Sequence, residues 1–400
     1  MRIIDWLKEY RATKEREKWV GVLAAACFSS PFPPASTILE LSKLGLWFLP
    51  KSPPELLLKA KTPRFKELVE ECKVAQLAGR KDSIKALAER YMDDLKNSLA
   101  ALDIHVVSFS EILGWLGLFA PLFFLCSVIF IPLEQVKIFI LVSLAASILI
   151  SLVFFAGKTP REFSLPSPPL YSFLSFLITP IGYLLGLPLT ISLLIASIPS
   201  AVFLLFYQRK LMEYIDLAEK ICSRASSTMI TPIILPKNFK PRDILSSEFW
   251  GFAGILLKSL YLILTYGSEK YFENANRILE FFRQYRFYMN RFREKATAMY
   301  FYALIFVAIA GLSIAWTYTM YIELSQITTP TGKYFNISIP RVKDLENLID
   351  ATLAAVSLSF SLAVAVSKDG NPLYFPLYIP LLLAIEYCVF YIGVNYIKLV

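Results

Sequence analysis

The chain has 400 residues, 56% of them apolar and only 18% charged, against roughly a quarter charged in ordinary soluble domains. Its net charge is +9 and its mean hydropathy +0.53, which excludes a disordered protein and a single water-soluble domain. An all-α polytopic membrane protein remains, and in that class basic residues report topology.

The first 110 residues carry 18 Lys and Arg. Trp19–Phe28 mimics a signal peptide ending at Ala24-Ala25-Ala26-Cys27, but Asp5, Glu9, Glu15 and Glu17 are wrong for the positive start of one. Pro31, Pro33, Pro34, Pro53 and Pro54 crowd the next stretch. A helix is expected over 64–78 (Phe65, Leu68, Val69, Cys72), ended by Gly79. A second, amphipathic one is expected over 83–102, with Asp82-Ser83 as cap and Ile84, Leu87, Ala88, Tyr91, Leu95, Leu99 and Leu102 on one face.

A spanning helix needs roughly 20 mostly apolar residues. Seven candidates follow: 112–131, 137–156, 169–186, 188–207, 298–322, 348–367 and 373–396. The third and fourth are joined by Leu187-Pro188 and read as a tight hairpin, with Pro180 and Pro199 as kinks and Gly182-x-x-x-Gly186 as a weak small-residue contact motif. Gly157-Lys158-Thr159 is not a phosphate loop, because Leu152 stands where the first glycine belongs.

Residues 208–297 hold another 15 Lys and Arg. Phe249–Tyr266 is apolar and long enough to cross, but seven basic residues flank it on each side, so it reads as a buried helix of a cytosolic bundle. After Gly267, Tyr271, Ala275, Ile278, Leu279, Phe282, Tyr285 and Met289 line one helical face. Ala88–Asn97 aligns without gaps on Ala275–Gln284, and each precedes a span by a similar distance, which suggests a tandem duplication. Arg277, Arg283, Arg286, Arg291, Arg293 and Lys295 interleave with aromatics. Positive-inside anchoring explains most of that pattern, a docking surface for a cytosolic partner comes second, and no nucleic acid is expected.

The chain thus divides into 1–110 (N-terminal cytosolic helical domain), 111–207 (four spans), 208–297 (second cytosolic helical domain) and 298–400 (three spans). With both basic stretches inside, the N-terminus is inside, the C-terminus outside, and an external loop near 323–347 carries the sequon Asn336-Ile337-Ser338. One histidine (His105) and five scattered cysteines (Cys27, Cys72, Cys126, Cys222, Cys388) leave no metal site, cofactor site or disulfide framework to expect. Cys126 and Cys388 fall in apolar runs and read as packing residues. No catalytic constellation is visible, and the chain is not expected to be an enzyme. Asp350 reads as an interfacial residue at a span end. Glu386 lies in mid-span, where a carboxylate either bonds a neighbouring helix or serves an ion or proton.

Arg90–Leu95 runs through Ser110-Glu111-Ile112-Leu113-Gly114 into Leu118–Phe124, a second copy extends from Ser246-Ser247-Glu248-Phe249 to Tyr300-Phe301, and Ser361–Ser367 is followed by Lys368-Asp369-Gly370 and a last span. On these residues the layout resembles the polytopic platform proteins (F-type) of type II secretion and type IV pilus systems, most closely the archaeal pilus and archaellum versions. The likeness covers roughly residues 60–400, and the proline-crowded N-terminal part departs from it. It implies a non-enzymatic role in the cell membrane, contacting a hexameric cytosolic secretion ATPase and moving pilin subunits into a filament, with a homodimer as the implied state. On that reading Arg277, Arg283 and Arg286 would dock the ATPase through an acidic facing surface. The rival reading is a transporter or channel with duplicated halves, its site near Pro180, Pro199 and Glu386.

Overall fold

The chain opens with α1 (Ile3–Lys18) and α2 (Val20–Ser29), and the prolines that crowd the next stretch start helices rather than break them. Pro34, Pro53 and Pro63 are the first residues of α3 (Pro34–Lys43), α4 (Pro53–Leu58) and α5 (Pro63–Ala78). At that position the missing amide would be unpaired anyway, and the fixed φ suits the helix. Gly79 ends α5 in the left-handed region, φ 66°, as its position in the sequence suggests. This computed structural model describes residues 3–127, 131–158, 160–227, 245, 249–267, 270–326 and 342–397, among which there is no strand.

Two compact units form. The first comprises Met1–Ala100 and Arg209–Arg291, the second Ala101–Gln208 and Phe292–Val400. The helix expected over 83–102 is only the start of α6 (Asp82–Leu113), which continues through a π-helical stretch, Gly114–Phe119, into α7 (Ala120–Cys126). α8 (Leu133–Lys158) follows.

The third expected span takes a different form. Leu170–Leu177 is a 3₁₀ helix and only Ile178–Leu184 (α9) is α-helical. Pro180 has no amide to offer the Phe176 carbonyl, and the chain before it winds tighter. α10 (Leu189–Ser227) continues through Pro199. α11 (Gly251–Tyr266) is the apolar helix expected to be buried, and its side chains from Phe252 to Leu260 are all buried within the first unit. α12 (Tyr271–Gln326) runs unbroken for 56 residues. α13 (Val342–Lys368) precedes a 3₁₀ helix, Pro372–Leu377, so that α14 (Ile379–Ile397) begins six residues later than the apolar run at 373 suggests.

Six described helical runs are long and apolar enough to cross a membrane: Asp82–Phe123, Leu133–Phe154, Leu189–Ser226, Tyr271–Glu323, Lys343–Lys368 and Ile379–Tyr396. The chain is a multi-pass membrane protein, with six such runs among the described residues; of the seven expected spans, 169–186 is the one without such a run. Asn336 and most of the loop near 323–347 lie outside the described residues, as do Ser246–Glu248.

In the first unit α2 is buried almost all round and packs on α11, α3 and α5. A Cβ at Gly21 would lie 2.7 Å from Tyr285 Oη of α12 and 2.9 Å from Tyr91 Cβ of α6, so only glycine fits between those helices. Phe282 and Leu95 are buried, and Phe252 packs on Phe282 and Tyr285 with ring centroids 5.2 and 5.7 Å away. Lys81 Nζ donates to the carbonyls of Cys27 (3.0 Å), Ser30 (2.5 Å) and Phe32 (2.8 Å), capping α2, and burial lowers its pKa.

In the second unit α13 is the central helix, against α8, α14 and the Pro372–Leu377 turn. Small residues let it approach its neighbours closely. Ser359 Oγ lies 2.5 Å from Ser147 Oγ of α8. Cys126 and Cys388, read as packing residues, are exposed on their helices, and Cys126 Sγ lies 3.6 Å from Thr317 Oγ1 of α12. An apolar environment such as lipid satisfies a thiol as well as a core does, so an apolar run does not tell the two apart.

Candidate functional site

α13 ends in Lys368-Asp369-Gly370, and the buried carboxylate of Asp369 gathers three other elements of the second unit. Gln208 Nε2, on α10, donates to Oδ1 at 2.7 Å. Tyr378 Oη, just before α14, donates to Oδ2 at 2.6 Å. Arg293 Nη2, on α12, lies 3.6 Å from Oδ1. Lys368 Nζ sits over the rings of Tyr300 and Tyr378, at 5.3 and 5.7 Å. The side chain of Asp369 has no exposed surface.

The local sequence builds this node. Asp369 N donates to Ala365 O, completing α13. Gly370 has φ 62°, and a Cβ there would lie 2.7 Å from Ser164 Cα, so the turn needs glycine twice over. Asn371 accepts from Leu373 N through its side chain, starting the 3₁₀ helix, and donates from Nδ2 to Leu165 O. Leu165 N in turn donates to Asp369 O, which fastens the segment after α8 to the same corner.

Burial raises the Asp369 pKa above its ordinary 3.8, opposed by Tyr378, Arg293, Lys368 and Gln208. Burial, and then the neighbouring carboxylate, pushes the Tyr378 phenol well up. The arrangement is a charge-assisted clamp between helix ends. Among the described residues no cluster of three His, Cys, Asp or Glu could hold a metal.

The residues singled out in the sequence fall elsewhere. Arg277 pairs with Glu273 and lies 4.6 Å from the Phe28 ring centroid. Arg286 pairs with Asp216 (2.5 Å) and Glu219, and Arg283 lies 3.8 Å from Glu219. All three are in the first unit with acidic partners from their own chain, and Arg283 is the most exposed, at 60%. Glu386 is fully buried in α14. Its Oε2 accepts from Ser357 Oγ of α13, and among the described residues its Oε1 has no hydrogen-bond partner. Beside it, a Cβ at Gly311 of α12 would lie 2.4 Å from Glu386 O, so the two backbones touch. Asp350 proves to be a cap: it accepts from Leu189 N (2.5 Å), Thr190 N (3.2 Å) and Thr190 Oγ1 at the start of α10.

Sequence reasoning passed over Asp369, Gln208 and Tyr378 as functional residues. The available signal was an Asp-Gly-Asn-Pro turn closing an apolar helix, with Gln208 and Arg293 each at the edge of another. Comparison with known proteins finds no matching family model, no matching curated protein and no matching solved structure.

Proposed function

We propose that this chain is a non-enzymatic membrane platform that couples a hexameric cytosolic motor ATPase to the insertion of pilin-like subunits into a filament. The observation that carries the reading is α12. Its first part belongs to the helical first unit, and its continuation is an apolar run long enough to cross a membrane. α6 and α10 likewise contribute to both units. Three continuous helices thus link the two units along the chain, and within the second unit Asp369 ties α10, α12 and α13 together.

The order of elements supports a tandem duplication. α5 and α11 are each 16 residues and each is followed by a long helix. α8 and α13 have 26 and 27 residues. After each comes Pro-Leu-Tyr, at 169–171 and 372–374, entering a 3₁₀ helix and then an apolar helix with proline in its first turn, Pro180 or Pro380.

Seven crossings also find support. Met1–Ala100 and Arg209–Arg291 form one unit, so both lie on one side of a bilayer, and the chain between them crosses an even number of times. α6–α7, α8 and α10 supply three crossings, which makes 170–184 the fourth. Wound partly as 3₁₀, it reaches about 26 Å, against a hydrocarbon core of about 30 Å. The basic stretches then face the cytosol and the C-terminus faces out.

A pull-down of the cell's hexameric secretion ATPase tests the function. Arg283→Glu is expected to lower capture about tenfold at low salt without loss of membrane insertion, and high salt to weaken capture of the unaltered chain. An absence of capture by the unaltered protein under both conditions overturns the platform reading.

A further inference from the structure

At the end of α13 opposite Asp369, the second unit holds a cavity of about 640 Å³. Three tyrosines converge on it from three elements: Tyr183 of α9, Tyr318 of α12 and Tyr387 of α14. The α13 wall presents Lys343, Glu346 and Asp350, and the apolar lining includes Leu353 and Phe390. Tyr318 Oη donates to Glu346 Oε1 at 3.0 Å, which holds one tyrosine against the carboxylate.

The depth of this cavity follows from the polar contacts. Leu189, capped by Asp350, and Gln208, bound to Asp369, are nineteen residues apart on α10, as are Asp350 and Asp369 along the chain. Nineteen helical residues rise about 28 Å, close to the thickness of a hydrocarbon core. The two polar layers therefore lie at opposite membrane boundaries, and the cavity sits at headgroup level, where tyrosine is at home.

We propose that the cavity binds the headgroup of a phospholipid that carries an ammonium group beside its phosphate. Tyrosine faces and carboxylates attract a cation. Asp350 already serves the α10 amides, so Glu346 is the carboxylate with acceptor capacity left. Lys343, one turn before Glu346, is placed for the phosphate. The apolar lining takes the first carbons of the chains. This inference rests on the membrane-spanning reading alone and is independent of the platform function.

The test reconstitutes the full chain in nanodiscs made from equal parts phosphatidylethanolamine and phosphatidylglycerol, then extracts it gently and weighs the lipid retained by native mass spectrometry. Phosphatidylethanolamine is expected to be enriched roughly fivefold over phosphatidylglycerol, the effect of about one cation–aromatic contact. Glu346→Gln and Tyr387→Leu, both with unchanged melting temperatures, are expected to abolish the enrichment, and Lys343→Ala to lower total retention. Equal retention of both lipids, enrichment that survives Glu346→Gln and Tyr387→Leu, or binding of soluble phosphoethanolamine without lipid enrichment would overturn it.

Discussion

Asp369 has two hydrogen-bond donors and two basic neighbours, yet burial still raises its pKa above 3.8. A carboxyl whose folded pKa is raised holds its proton longer when folded than when unfolded. Its contribution to stability is full below the unfolded value and is lost as pH rises from about 3.8 through the folded value. Asp369→Asn keeps an acceptor for one donor and removes the ionisation. The melting temperature of the unaltered protein is expected to fall over that window more than that of the Asn variant, and parallel profiles in detergent would refute the assignment. Residues such as Leu95 and Phe282 were legible in the sequence because helical periodicity alone marks a buried face. Asp369 was not, because its partners at 208, 293 and 378 meet it only once α10, α12 and α13 are in place. The same holds for Arg283 and Arg286, which look free until Asp216 and Glu219 of α10 are folded against them. Glu273, one turn before Arg277 on α12, was readable as its partner. At Glu386, the amide of Glu386→Gln keeps an acceptor for Ser357 Oγ while removing the acid. If the acid has a coupling role, that variant is expected to insert normally and to fail in filament assembly; normal assembly would leave Glu386 a structural residue.

Among elements, a boundary marked by glycine was the easiest to read: the helix expected over 64–78 is α5, and Gly79 ends it. Nothing marks an end where α12 passes from an amphipathic to an apolar pattern near 298, since Lys295-Ala296-Thr297-Ala298 holds neither glycine nor proline, and the helix continues. The stretch 170–184 was legible as apolar but not as 3₁₀, because periodicity and length do not report how tightly a proline makes the preceding turn wind. Leu95 and Phe282 occupy corresponding places in α6 and α12 in the gapless alignment. Leu95→Asp or Phe282→Asp would bury an unpaired charge at a cost of roughly 3 kcal/mol or more. Both variants are expected to melt well below the unaltered protein, and a loss at one site only would count against equivalent positions.

For the whole molecule, composition identified the class, and the side of each basic stretch tests the number of crossings. Single cysteines in a cysteine-free background, Lys85→Cys and Lys220→Cys, are expected to react with an impermeant reagent from the same side of the membrane. Reaction from opposite sides would mean that 170–184 does not cross. The length of α12 has a mechanical consequence. Arg293, the residue it gives to the Asp369 clamp, lies about 50 Å along the axis from Gln326, and both belong to the second unit. Anchored at that point, this part of the helix is a long arm: a tilt of ~10° about the clamp moves its far end by about 9 Å.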